Sequence, residues 1–285
     1  MIKACFSSRY FAETHTNSME KLQFVAQAIV EQSLAQLVEP ELIDPDILRM
    51  LHAPNYVDAF LQGETSLARM SGFKWSEGLR DAVLAIQGGQ LMAAEIALAE
   101  GISANIAQGF HHAMYEYGGG FCTFNGIALV AQQYPDKQIF VLDCDQHGGD
   151  GTAEFTRRLP NLFNFTIYGL AYGCRDYERS IGRYIHPKDG SFALYEAALQ
   201  EGFELIRAQR PDLVIYQAGM DCHQADPYGS SWFDSAAVYR RDSLVFEFAK
   251  REQIPIMFVL AGGYQALPDL VKLHVSTFQA ANQFY

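Results

Sequence analysis

Cysteine is scarce in this sequence. The five present (Cys5, Cys122, Cys144, Cys174 and Cys222) are odd in number, scattered, and never spaced as CxxC. That excludes a disulfide framework and a cysteine-type zinc site, and it fits reduced thiols in a cytoplasm, each a small buried hydrophobe. Long apolar runs are missing too: no stretch of about 18 apolar residues predicts a membrane span, and Met1-Ile2-Lys3-Ala4-Cys5 does not open a signal peptide. Basic charge is the minority. Against 33 Asp and Glu stand 21 Lys and Arg, a net charge of −12, and no basic run is longer than a pair such as Arg240-Arg241. Such a chain repels phosphate backbones, so no direct nucleic-acid partner is expected, while its acidity would steer cationic substrates. Charged residues make up only 19% against 49% hydrophobic, which excludes disorder over most of the length.

What is present alternates between two patterns. Asn17-Ser18-Met19-Glu20 has the form of a capping box and predicts a helix to about Gln32. Leu84, Leu91, Ala94 and Leu98 mark a second helix, with Gly88-Gly89 as a local weakness. Phe192, Tyr195, Leu199, Phe203 and Ile206 mark a third, and Phe233 to Lys250 a fourth, opened by Asp234. Between them lie unalternated apolar runs at Ile139–Leu142, Phe163–Ile167, Leu213–Gln217 and Ile256–Leu260, with Ser103–Gln108 as a weaker one. Strands of a parallel sheet covered on both faces read this way. No repeat or linker interrupts the alternation, which predicts one α/β domain over residues 1–285, and Gly169 to Gly190 reads as a long surface loop.

Polar clusters follow four of these strands. His111-His112 come after Gln108, Asp143-Cys144-Asp145-Gln146-His147 after Leu142, Asp221-Cys222-His223 after Gln217, and Gly262-Gly263-Tyr264 after Leu260. Open parallel sheets bind ligands at the carboxyl ends of their strands, so four such clusters predict a site. Asp145 and His147, two apart on an extended segment, can share one metal, and Asp221 would complete an Asp-His-Asp set with open positions. Zinc accepts that set, and its two carboxylates also suit Fe²⁺ or Mn²⁺. On spacing alone, either aspartate could equally cap a following turn. The tandem histidines can take a proton from a metal-bound water, and Gly118-Gly119-Gly120 lets backbone approach a ligand.

Taken in order, Gly109-Phe110-His111-His112-Ala113, Gly120-Phe121-Cys122-Thr123-Phe124-Asn125, Leu142-Asp143-Cys144-Asp145-Gln146-His147-Gly148-Gly149-Asp150-Gly151, Ala218-Gly219-Met220-Asp221 through Asp226-Pro227, and Ala261-Gly262-Gly263-Tyr264 resemble the signatures of the zinc-dependent histone deacetylase superfamily. The resemblance runs over roughly residues 100–265, the segment from Leu51-His52 to Leu61 is compatible with it, and class IV-like and bacterial members are the most similar. It implies an arginase/deacetylase-like three-layer α/β/α fold with a mainly parallel sheet. Asp145, His147 and Asp221 match the zinc ligands, His111 and His112 the tandem acid/base histidines, and Tyr264 the carbonyl-polarising tyrosine. Asp143 and Asp150 match the carboxylates that hold His111 and His112 respectively. Asp143, Asp145, His147, Thr166 and Ile167 match a structural potassium site. Gly120 and Phe121 match the acyl-lysine tunnel, whose further walls fall at Tyr228 and Tyr172. Gly148 replaces a second histidine found in many members, Tyr228 replaces Leu or Met, and no aspartate is placed as the clamp for the substrate backbone.

The implied reaction is hydrolysis of an N-acyl, above all N-acetyl, amine such as acyl-lysine: the metal and Tyr264 polarise the carbonyl while a histidine takes the water proton. Spacing does not say which histidine is base or acid. Three rivals stand beside this reading. One is an acetylpolyamine amidohydrolase, compatible with the −12 charge. The others are a binuclear manganese ureohydrolase and a non-catalytic binder of acylated ligands. Oligomeric state is not readable.

Overall fold

Apolar runs without alternation need cover on both faces, and the computed structural model supplies it. The structure describes residues 1–63, 66–229 and 231–285. Its strands are β1 (Ile2–Cys5), β2 (Ala35–Val38), β3 (Ile102–Asn105), β4 (Ile139–Asp143), β5 (Leu162–Tyr168), β6 (Ser180–Tyr184), β7 (Leu213–Ala218) and β8 (Ile256–Leu260). They form one sheet in the order β2-β1-β3-β8-β7-β4-β5-β6, and every neighbouring pair is parallel. The expected α/β architecture therefore holds, with a sheet wholly rather than mainly parallel.

Register assigns the two faces. Ala104, Phe258, Tyr216, Leu142 and Phe165 lie in one cross-strand row, and Phe258 packs on Phe246 and Phe278 from the helices Ser235–Arg251 and Leu267–Asn282. The adjacent row, Ser103, Met257, Ile215, Val141 and Asn164, faces the other way. There the Ser103 hydroxyl donates to Ala93 O in the helix Glu77–Glu100. The last row, Asn105, Val259, Gln217, Asp143 and Thr166, is polar at four of five positions and buried throughout. It is the floor of the site.

Four local expectations change. Gly169–Gly190 is not one loop, because β6 pairs with β5 as the outer strand of the sheet; an edge strand needs no continuous apolar run, and Ser180-Ile181-Gly182-Arg183-Tyr184 has none. β1 and β2, each four residues of mixed polarity, are too short to show in the pattern. The first helix, Glu20–Glu31, starts at Met19 without a side-chain cap; Asn17 Nδ2 instead donates to Gln265 O at 2.8 Å, and the Ser18 hydroxyl pairs with that of Thr16. Gly88-Gly89 do not weaken Glu77–Glu100, which runs unbroken. A Cβ at Gly88 would lie 1.9 Å from Glu41 O, and one at Gly89 1.8 Å from Tyr10 Oη, so both are close-approach points. This 24-residue helix is long and apolar enough to cross a membrane by length and composition, but 61% of its apolar window is buried inside the fold, as in a core helix.

Candidate active site

β3, β8, β7 and β4 are neighbours at the centre of the sheet, so their carboxyl ends deliver the four polar clusters to one place. Atoms of Asp145, His147 and Asp221, one from each, lie within 4.8 Å of one another. His147 Nδ1 is 2.8 Å from Asp221 Oδ2 and 3.4 Å from Asp145 Oδ1. Main-chain amides aim the carboxylates: Asp145 accepts from His147 N (3.0 Å) and Gly262 N (2.7 Å), and Asp221 from Gln146 N (2.9 Å). The turn-capping alternative is thus true in part, since each aspartate also holds a loop.

Electrostatics explain what the trio needs. Burial and the charge on Asp145 push Asp221 up to about 7. Burial alone would discharge His147, but hydrogen bonds and charges from Asp145 and Asp221 overrule it and raise the imidazole to about 11. Two buried carboxylates side by side demand a cation, and the imidazole proton serves as one. Two carboxylate oxygens and an imidazole nitrogen are a donor set that zinc accepts and that suits Fe²⁺ or Mn²⁺, so these residues fit a divalent ion in place of that proton.

The tandem histidines divide. His111 Nδ1 is 2.7 Å from Asp143 Oδ2, and His112 Nδ1 is 2.7 Å from Asp150 Oδ1, the two partners expected. Burial depresses both rings; for His111 the charges of Asp143 and Asp145 overrule it and lift the group to about 9, while for His112 burial and the neighbouring His111 leave it near 4. The two rings are thus pushed in opposite directions. Tyr264 stays a phenol, raised well above its ordinary value by burial and the nearby carboxylates.

Space is arranged in two steps. An inner cavity of about 30 Å³ lies among Lys21, Gln108, His111, Asp145, Gln217 and Gly262. An outer cavity of about 370 Å³ is bounded by Met70, Ser71, Gly119, Tyr172 and Tyr228. His112, Gly120, Phe121, His147 and Tyr264 line both. Phe121, Tyr228 and Tyr172 thus border one cavity. Phe121 and Tyr228 each pack on Tyr264, at 5.7 and 5.0 Å, and Tyr172 covers His112 at 4.1 Å. A Cβ at Gly120 would fall 2.4 Å from His112 Cδ2, which makes glycine the condition for that ring's position. Phe110, Phe121 and Tyr172 all have positive φ, half of the six described non-glycine residues that do, so backbone strain gathers here. Gly148 has no room for a larger side chain: its Cβ would meet Cys174 Cβ at 2.6 Å and Ala171 O at 2.9 Å, so the turn carrying Tyr172 occupies that space. Thr166 and Ile167 sit at the end of β5, with Thr166 in register with Asp143. The Thr166 hydroxyl is buried and has no partner among the described atoms.

Three supporting residues escaped sequence reasoning. Lys21 is buried, donates from Nζ to Ala261 O at 2.6 Å, and is lowered to about 8 by burial. Its spacing with Val25 and Ile29 on the buried face of Glu20–Glu31 was the available signal. Arg241, fully buried and paired with Asp242, donates to Gly219 O (2.7 Å) and Cys144 O (3.2 Å), bracing the loops that carry Asp221 and Asp145. His52 accepts from Asn125 N, and Asn125 Nδ2 donates to Ala113 O beside the tandem histidines.

Comparisons with known proteins agree with this geometry. An uncharacterized protein of Picosynechococcus sp. is 31% identical over 96% of this chain and 95% of its own length. Histone deacetylase 2 of Arabidopsis thaliana is 29% identical over 82% of this chain, which spans 64% of that protein. The crystal structure of acetylpolyamine aminohydrolase from Burkholderia pseudomallei superposes with a TM-score of 0.86 at 16% identity, covering 100% of this chain and 99% of that one, a likeness of fold. The family model described as the histone deacetylase domain matches residues 15–278, a span that contains all four strand-end clusters, and the chain belongs to that family.

Proposed function

We propose that residues 1–285 act as one catalytic domain, a metal-dependent amidohydrolase that removes an acyl group from the nitrogen of a primary amine, either acyl-lysine or a small acetylated amine. One observation carries the reading: the Asp145-His147-Asp221 set converges where His147 lines both cavities together with His112 and Tyr264. The inner cavity, at about 30 Å³, is small, which supports a short acyl group such as acetyl. Among the described residues one trio of metal-ligating side chains converges, which supports a mononuclear zinc centre over a binuclear manganese one. The buried, unpartnered Thr166 hydroxyl beside Asp143 supports a structural potassium ion held there by the backbone of Asp143, Asp145, His147 and Ile167. Five free cysteines, four of them buried, support a reducing cytoplasm.

Asp145, His147 and Asp221 would hold a divalent ion, which would supply Lewis acidity to water and to the acyl carbonyl. His112, neutral and open to both cavities, takes the proton as water adds to the acyl carbon; Asp150 fixes its tautomer and steadies the charge. Tyr264 donates to the carbonyl oxygen as negative charge grows on it, and His111, held by Asp143, stands against the His112 ring at 4.0 Å. His112 then returns its proton to the nitrogen, the C–N bond breaks, and a carboxylate and an amine result. Phe121, Tyr172 and Tyr228 exclude water around the amine's chain.

Tyr264→Phe tests the donor role. It keeps the ring packing and should leave metal content unchanged while cutting kcat and kcat/KM alike by about 10²-fold or more. Wild-type turnover with a full metal complement would remove Tyr264 from the mechanism. Assays of the zinc-loaded protein on acetyl-lysine peptides and acetylated polyamines distinguish the two substrate classes, and no turnover of either would favour the binder.

A further inference from the structure

The loop after β7 presents Asp221 and then folds back across it, so closely that a Cβ at Gly229 would lie 2.1 Å from Asp221 O. Asp226, in the middle of that loop, is buried. Its Oδ1 accepts from the main-chain amides of Tyr228 and Gly229, both at 2.9 Å. Its Oδ2 accepts from the main-chain amide of Tyr264 at 2.7 Å, across from the loop after β8. A carboxylate needed only to cap its own turn would use one oxygen, as Asp44 and Asp234 do at their helices. The second oxygen of Asp226 is committed to a residue 38 positions away. Tyr264 needs such an anchor, because the preceding residues, Gly262 and Gly263, lack side chains and Gly263 sits at φ +141°, where the backbone restrains itself little. The same carboxylate holds Tyr228, whose ring meets that of Tyr264 edge-on at 5.0 Å.

We propose that Asp226 is the positioning residue of Tyr264: it fixes the phenol over the metal-ligand trio and locks it to the mouth residue Tyr228. This rests on the reading of Tyr264 as the carbonyl donor. The carboxylate acts through hydrogen bonds alone and touches no substrate.

Asp226→Asn is the test, because an amide cannot accept on both sides; its NH₂ must face either the Tyr264 amide or the pair at 228 and 229. The variant should bind zinc in the wild-type ratio, lose about 10–100-fold in kcat with KM within about 2-fold, and show faster amide hydrogen exchange at Tyr264 or at Tyr228 and Gly229, whichever side the NH₂ faces. In a Tyr264→Phe background, measured on an activated trifluoroacetyl-lysine substrate, the same change should cost less than about 2-fold, since its target is already gone. If Asp226→Asn does not accumulate as folded protein, Asp226→Glu completes the same cycle. Equal losses in both backgrounds, unchanged exchange at Tyr264 and at Tyr228 and Gly229 together, or wild-type kcat would each overturn the proposal. Failure of the Tyr264 reading looks different: Tyr264→Phe alone would then turn over at the wild-type rate.

Discussion

His52 is fully buried and uses both ring nitrogens on main chain, Nδ1 with Met114 O at 2.9 Å and Nε2 with Asn125 N at 3.0 Å. The Asn125 amide can only donate, so Nε2 must accept and the proton sits on Nδ1. Burial lowers the group from 6.5 to about 4. In the unfolded chain His52 binds a proton below about pH 6.5, and in the folded chain only below about 4. Its contribution is therefore complete above pH 6.5 and is lost as pH falls from there toward 4, by up to about 3 kcal/mol. Urea unfolding at pH 7 and 4.5 should show a larger stability loss in the wild type than in His52→Phe, and equal losses in both proteins would exclude His52 as a cause. The strand-end clusters were legible because Asp, His and Gly-Gly-Tyr follow apolar runs, in the order of one family's signatures. His52, Lys21 and Arg241 were not, because their partners are carbonyls or amides of distant segments, which no local pattern encodes.

Strands on the central axis of the sheet could be read from composition, since cover on both faces forces apolar residues at every position. β1, β2 and β6 lie at or near the edges, where that demand fades, and the sequence says correspondingly less about them. The helix Glu77–Glu100 shows the opposite failure: glycines that lower helix propensity are kept for contact. Gly88→Ala adds about 1 kcal/mol of helix propensity but drives a methyl group into Glu41 O. The clash should win, with a net loss of about 1–2 kcal/mol visible as a lower urea midpoint at unchanged m-value. A midpoint at or above wild type would show that the Glu41 segment gives way freely.

At the scale of the molecule, the sheet holds two buried carboxylates together with the His147 imidazole between them. Any divalent ion that takes the Asp145-His147-Asp221 set binds the folded chain alone, so it should raise Tm, by an amount equivalent to about 4 kcal/mol at a thousand times its Kd. Asp145→Asn and Asp221→Asn should fold and lose that zinc-dependent rise together with the bound metal. A full rise in either variant, seen by calorimetry with and without zinc, would place the ion elsewhere.

The polar last row of the sheet also has a kinetic meaning. Asn105, Asp143 and Gln217 belong to strands far apart in sequence, and the row is complete only when β3, β8, β7, β4 and β5 are all paired. Parallel pairings of this kind form slowly, because each closes a long loop before any contact rewards it. The ligand trio standing on that floor has no earlier, local version of itself. In refolding, helical signal should therefore return first and tight zinc capture last, so the appearance of bound metal times the completion of the central sheet. Stopped-flow circular dichroism beside a zinc-indicator dye would show the order, and simultaneous phases would mean that the trio assembles on a partly formed sheet.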